Sequence, residues 1–249
     1  MTEKEACRIA RIEKLDLKFS RHAWAFAAER RAEINSYFAK ACEAKPLWNG
    51  RVLLLGEHEI AGDTLRGTYF EADFASFFAW RDWGFPDPSV RDCFAATALQ
   101  GADGGFVLGV MGAQTANAGK IYFPSGTPDP GDRVGERVDL EKSARRELLE
   151  ETGIAAEDCD IAPGWFAVFD RSYIAMIKPM RSRQRSDALQ ARIRDYLARS
   201  HAPELADVEI MRGASDLTPR MMAAMPPYVP VFLRYVWSGM SGGDTMQRL

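Results

Sequence analysis

"SARRELLEETGI", Ser143 to Ile154, places three glutamates, Glu147, Glu150 and Glu151, within five residues. On a helix, like charges four residues apart, as Glu147 and Glu151 are, cost roughly 0.2–0.5 kcal/mol. At about 100° per residue, Glu147 and Glu151 lie about 40° apart around the helix, with Glu150 about 60° to the other side of Glu147. All three therefore share roughly a quarter to a third of the circumference. Leu140, Ala144 and Leu148 adjoin that face, so the acidic edge is expected to meet the protein body and not bulk water. Arg146 stands four residues before Glu150 and can orient one carboxylate.

Partly buried like charges need compensation. A hard divalent cation supplies it, and Mg²⁺ favours carboxylate oxygens while keeping waters for substrate phosphates. Upstream, "PSGTPDPG" (Pro124–Gly131) brings backbone groups toward the helix start, where oxyanions are favoured. A glutamate-rich helix can equally be a plain surface element. What sets this one apart is its order: strand, "PSG", loop, "RELLEETG", then another apolar strand.

Further outward, Asp139 is placed to cap a helix from Leu140 to about Thr152, and Gly153 to end it. "DCFAATALQ", "GADGG" and "FVLGVMG" read as a β-hairpin, and "KIYFPSG" as a strand. "GWFAVFD", "YIAMIKP" and "DVEIMRG" are further strands, with a helix near Ser186–Arg199 and two short helices around "MPPYVP". Residues 9–19 partly alternate and read as one strand. Ser20 is placed to cap the helix after it, and Pro46 to end that helix. "NGRVLLLG" and "TLRGTYFEADF" read as strands, and "ASFFAWRDWG" as a short helix closed by Gly84. Strands and helices mix without regular βαβ alternation. The expected class is α+β on a mixed sheet with an N-terminal strand-helix extension. The expected division is residues 1–89 and 90–249. The first part would pack on the main domain, build a substrate pocket or support a homodimer.

The chain has 249 residues, 47% hydrophobic and 27% charged, with a formal net charge of −3. That charge argues against a general nucleic-acid binder. "RSRQR" (Arg181–Arg185) is the only dense basic run and reads as a solvated helix start. No apolar run approaches the roughly 20 residues a membrane span needs. "MTEKEACRIARIEK" lacks the apolar core of a secretory signal, so a cytoplasmic location is expected. Cys7, Cys42, Cys93 and Cys159 show no CxxC pair and read as buried or free thiols.

"RRELLEETGI" resembles the second half of the Nudix box, G-x5-E-x7-R-E-U-x-E-E-x-G-U with U aliphatic. Arg146, Glu147, Leu148, Glu150, Glu151, Gly153 and Ile154 fill R-E-U-x-E-E-x-G-U without a gap. "FPSG" (Phe123–Gly126) looks like the family's F-P-G-G, and Gly126 followed by Asp132 looks like G-x5-E with Asp for Glu. Thirteen residues then separate Asp132 from Arg146 where the pattern has seven, and counting back seven lands on Val138. "RVGERV" reads as an insertion, with Asp132, Glu136 or Asp139 as substitutes for the displaced acid.

The resemblance implies an α/β/α sandwich arrangement and a Nudix hydrolase that cleaves a phosphoanhydride bond in a nucleoside diphosphate linked to another group. Glu147 and Glu151 would then ligate Mg²⁺ or Mn²⁺, with Glu150 a ligand or base and Arg146 the orienting partner. The Ser125 carbonyl could add a ligand. The general base would come from a later loop, where "HAPELADVE" offers Glu204 first, then Asp207, Glu209 and His201. UDP-sugars, ADP-ribose and other nucleotide sugars are the open substrates. A Nudix-fold module that binds a nucleotide without hydrolysing it is the alternative. Cys93 is shared with the family's cysteine-using isomerases, whose remaining signature is not evident. The aromatic residues of the N-terminal part, Trp24, Trp48, Phe74, Phe77, Trp80 and Trp83 among them, are read as core before stacking pocket.

Overall fold

The computed structural model describes residues 7–45, 47–170 and 172–240. The stretch expected as one strand is two, β1 (Arg8–Ile12) and β2 (Lys14–Phe19), and they enter different sheets. Ile12 and Leu17 are both buried but five residues apart, hence on opposite faces of any one straight strand. Changing sheets at Glu13 buries both. Ser20 caps no helix. Its N–H donates to the Tyr69 carbonyl at 2.8 Å, and α1 (Ala25–Glu29) begins only after Trp24. Helix α2 (Arg31–Ala44) follows, while Pro46 lies outside the described residues.

Next come β3 (Arg51–Ala61), β4 (Thr64–Asp73) and α3 (Phe74–Asp82), whose N-cap Asp73 accepts from the Ser76 N–H at 3.0 Å. Strands β5 (Asp92–Gln100) and β6 (Phe106–Met111) leave the "GADGG" turn paired only at Gln100 and Phe106. Beyond that pair they splay. Strand β7 (Ile121–Tyr122) pairs with β6 and β8 (Ser125–Gly126) with β5, so "KIYFPSG" is two short strands around Phe123–Pro124. Fully buried Phe123 wedges the opening.

Strands β9 (Arg133–Val134) and β10 (Arg137–Val138) form a small hairpin before α4 (Leu140–Thr152). The chain continues through β11 (Cys159–Ile161), β12 (Trp165–Phe169), β13 (Tyr173–Ser182), α5 (Ser186–Arg199) and β14 (Leu205–Met211). It closes with α6 (Pro219–Ala224) and α7 (Tyr228–Met240).

The large sheet runs β1-β12-β13-β5-β6-β14, with β13 and β5 parallel and the other neighbours on this path antiparallel. On β5 the Thr97 hydroxyl donates to the Ala144 carbonyl of α4, while Phe94 on the opposite face meets Tyr228 at the start of α7. Helices α4 and α7 thus cover opposite faces, and the class is α+β on a mixed sheet.

The second sheet, β3-β4-β2-β10-β9, is also mixed. Its residues sort with a period of two: Leu53, Leu55, Leu65 and Tyr69 enter the main core, while Val52, Leu54, Phe70 and Ala72 face an aromatic core under α1–α3. Trp24, Phe77 and Trp80 fill that second core, whereas Trp48 is 84% exposed. Among the described residues no helix is long and apolar enough to cross a membrane, and all four cysteines are free.

Candidate active site

Helix α4 starts where Asp139 accepts from the Glu141 and Lys142 N–H groups, each at 3.0 Å. It ends at Gly153, whose φ of 67° suits a residue without a Cβ. Leu140, Ala144 and Leu148 are buried, which sets the acidic edge along the rim of the core. Glu151 is 4% exposed, whereas the side chain of Glu150 is 59% exposed. Glu147 lies between them, largely buried.

Strand β8 meets this edge. The Ser125 backbone adjoins the Glu151 carboxylate and pulls its pKa down against the rise that burial imposes. A Cβ on Gly126 would fall 2.0 Å from Glu147 Oε1, so glycine lets the strand lie against that carboxylate without displacing it.

Arg146 gathers the acids. Its guanidinium holds fully buried Asp132 through Nη2–Oδ2 at 2.9 Å and Nε–Oδ1 at 3.3 Å. Its Nη1 reaches Glu147 at 2.9 Å and Glu150 at 3.1 Å. Residues 133–138, the extra stretch, form the β9–β10 hairpin, which turns at Gly135 (φ 62°) and pairs Arg137 with Lys18 of β2. The Arg133 guanidinium stacks 3.6 Å over Phe19, and Arg137 pairs with Asp16 at 3.0 Å. The insertion is thus a clasp onto the second sheet, and its two ends return Asp132 and Asp139 to the helix. Of the three acids read as substitutes, Asp132 meets Arg146, Asp139 caps the helix and Glu136 is exposed at the hairpin tip. Val138 is buried in the core.

The electrostatics are out of balance. Burial pushes the Glu147 carboxyl up to about 7, with Arg146 opposing and Glu150 and Glu204 adding to the rise. Burial, then the charges of Glu147 and Glu204, hold Glu151 well above the ordinary carboxylate range. Glu151 Oε2 is buried without any hydrogen-bond partner. Among the described residues no three acid, histidine or cysteine side chains converge as a ready-made metal cluster, since Glu147 and Glu150 lean on Arg146. A hard divalent cation fits the donor set nonetheless. It would satisfy the orphaned oxygen and offset the repulsion that burial magnifies.

These groups line a cavity of about 650 Å³. Glu204 lies on its wall, its carbonyl accepting the Gly112 N–H at 2.7 Å. Asp207, Glu209 and His201 do not line it, and Asp207 is paired with Arg194 at 2.7 Å. Cys93 is fully buried, and burial pushes its thiol up to about 12, far from a reactive thiolate. The same cavity is also lined by segments outside the motif: Phe74, Phe77, Arg81 and Phe85 of the N-terminal part, Asp92, and Met225–Tyr228. Of these, only the aromatic residues of α3 carried a signal in the sequence, and helical spacing there reads as core.

No protein-family model matches the chain, and no curated protein is similar to it. Solved structures are similar in part. They include a Nudix hydrolase from M. smegmatis, RenU, at 13% identity, covering 62% of this chain and 89% of that one, with a TM-score of 0.39. DR0079 from Deinococcus radiodurans is 15% identical over 70% of this chain and 86% of that one, with a TM-score of 0.41. A MutT protein from Methanosarcina mazei Go1 is 17% identical over 55% and 86% respectively, with a TM-score of 0.32. Likeness at this level assigns neither activity nor substrate. In residues, what the chain shares with the Nudix pattern is the run Arg146–Ile154.

Proposed function

We propose that the protein is a Nudix-type hydrolase, dependent on Mg²⁺ or Mn²⁺, that cleaves the phosphoanhydride bond of a nucleoside diphosphate linked to another moiety. The observation that carries this reading is the buried, partnerless Oε2 of Glu151 beside Glu147, whose carboxyl stays raised to about 7 despite its pairing with Arg146, both on a cavity wall. Glu147, Glu151, Glu150 and the Ser125 carbonyl would hold the cation, which when bound supplies charge compensation and Lewis-acid polarisation of phosphate oxygens.

The chain's own residues do the rest. Asp132 fixes Arg146, and Arg146 fixes Glu147 and Glu150. Positioning of this kind is most of what protein side chains contribute to phosphoryl transfer. Glu204, on the cavity wall and close enough for its charge to act on Glu147 and Glu151, is the group to accept a proton from the attacking water. A small-molecule substrate and a cytoplasmic location belong to the same proposal.

The test is nucleotide release over a panel of nucleoside diphosphate sugars with Mg²⁺ or Mn²⁺. Wild type should turn over at least one member. Glu151→Gln should lose more than about a hundredfold, since even groups behind a metal ligand are worth 10–100-fold. No turnover anywhere, or an unimpaired Glu151→Gln, would overturn the reading. Nucleotide binding without product would identify a binding module instead.

A further inference from the structure

The part of the cavity wall that comes from outside the motif has its own chemistry. It includes Phe85, which follows the closing Gly84 of α3 and has φ of 62°, a left-handed conformation disfavoured for a bulky residue. Neighbours over-determine it. The Phe85 N–H donates to the Trp80 carbonyl at 2.9 Å, and its ring meets Trp80 edge-on at 4.8 Å. The turn beyond is pinned at Asp87, which accepts from Trp24 Nε1 at 2.8 Å and, through its carbonyl, from Trp80 Nε1 at 3.1 Å. Strain held in this way clusters where a ligand is gripped. Here it fixes an aromatic ring in the cavity wall.

Asp92 and Arg81 are among the polar groups of that wall. Asp92, at the start of β5, takes the Thr127 hydroxyl on Oδ1 at 3.0 Å, which leaves most of its acceptor capacity open. Burial pushes its carboxyl up to about 6, against the pull of Thr127 and Arg81. Arg81 lines the same space and offers only donors, where Asp92 offers only acceptors. Strand β8 and the residue after it run along this wall: Gly126 lies against Glu147, and Thr127, just beyond the strand, holds Asp92.

We infer that Phe85, Asp92 and Arg81 form a base-recognition subsite for guanine in this cavity, with Phe85 stacking on the ring, Asp92 accepting from its two adjacent N–H groups and Arg81 donating to its carbonyl. A carboxylate facing a base edge needs two neighbouring donors. Adenine and cytosine place a ring-nitrogen acceptor beside their amino group, and uracil flanks its single N–H with carbonyls, so each would set lone pair against lone pair. Unpaired buried polar groups of that kind are how sites reject near-isosteres. The inference rests on the α4 carboxylates marking the diphosphate site.

The experiment is calorimetric titration of the full chain with GDP, ADP, UDP and CDP in the presence of Mg²⁺. GDP should bind about tenfold or more tightly than the other three, a typical size for one good bidentate contact. Asp92→Asn, whose amide both donates and accepts, should bring the GDP-to-ADP affinity ratio to about 1 or below. Phe85→Leu keeps apolar bulk against Trp80 but removes the flat face, and should weaken all four ligands about tenfold without changing their order. Equal affinity for any other base in wild type, or a GDP preference that survives Asp92→Asn, would overturn the subsite. The titration needs no turnover. Guanine preference without hydrolysis of any substrate would therefore keep the subsite and sink the proposed reaction, and hydrolysis without base preference would do the reverse.

Discussion

Helix α4 carries an acidic cluster at each end, and the two are balanced differently. Near its start, Glu141 sits between Arg145 at 2.8 Å and Lys178 at 3.1 Å. Lys178 is buried, donates to the Gly164 carbonyl at 3.3 Å and lies 4.9 Å from the Trp165 ring centre. Burial raises the Glu141 carboxyl, but Arg145 and Lys178 outweigh it and leave the group below its usual range. Near the helix end, Arg146 shares its charge among Asp132, Glu147 and Glu150, and both Glu147 and Glu151 are left raised. The same residue type on the same helix thus shifts in opposite directions. An acid paired with its cations braces a helix, whereas on the proposed function the cluster short of a cation would take one.

The strongest way to break this contrast is to make one substitution at both ends. Glu141→Gln strands Lys178 and should cost about 2.5 kcal/mol in chemical denaturation, a little under the fully buried case because Glu141 is partly exposed. Glu151→Gln, measured with chelator at pH 8, should instead stabilise the protein. Changes of equal sign would erase the distinction between brace and site.

Next in size is the pH dependence. Glu147 holds its proton to about 7 when folded, against an ordinary value of 4.5. Between those values the folded state binds more protons than the unfolded chain, so stability falls as pH rises. With chelator, thermal melts between pH 5 and 8 should show a loss on the order of 2 kcal/mol, and millimolar Mg²⁺ should flatten the curve. A chelator curve that is already flat would put Glu147 in the same class as Glu141.

The smallest expected effect sharpens the picture behind Arg146. Asp132→Asn keeps shape but removes the counter-charge, and should lower kcat about tenfold with little change in KM. Glu136→Gln at the exposed hairpin tip should change neither. Steady-state rates on any turned-over substrate decide between them.

The parts of this molecule that were legible in sequence are those governed by neighbours. Asp139 and Gly153 bound α4 because a cap and a left-handed terminus are local demands. The acidic face followed from helical spacing alone. Non-local pairing escaped. The split of residues 9–19 depends on partners in two sheets, β12 for one half and β4 for the other. The Asp132–Arg146 contact spans a hairpin whose two-residue strands have meaning only against β2. Ser20 looked like a cap, but its amide was claimed by Tyr69. Asp92 and Lys178 carry no spacing signal, since their partners Thr127 and Glu141 are distant in the chain.

The position of β1 bears on how the chain is made. Arg8–Ile12 pairs with Trp165–Phe169, so the first strand of the large sheet has no edge to join until its partner has been synthesised. At roughly 5–20 residues per second, that delay is about ten to thirty seconds on the ribosome. Through that interval an unpaired strand ending in the wholly apolar Ile12 must avoid other edges. Arginines at positions 8 and 11, which in the finished fold lie over the rings of Phe169 and Phe166, give the waiting strand the charge that keeps it single.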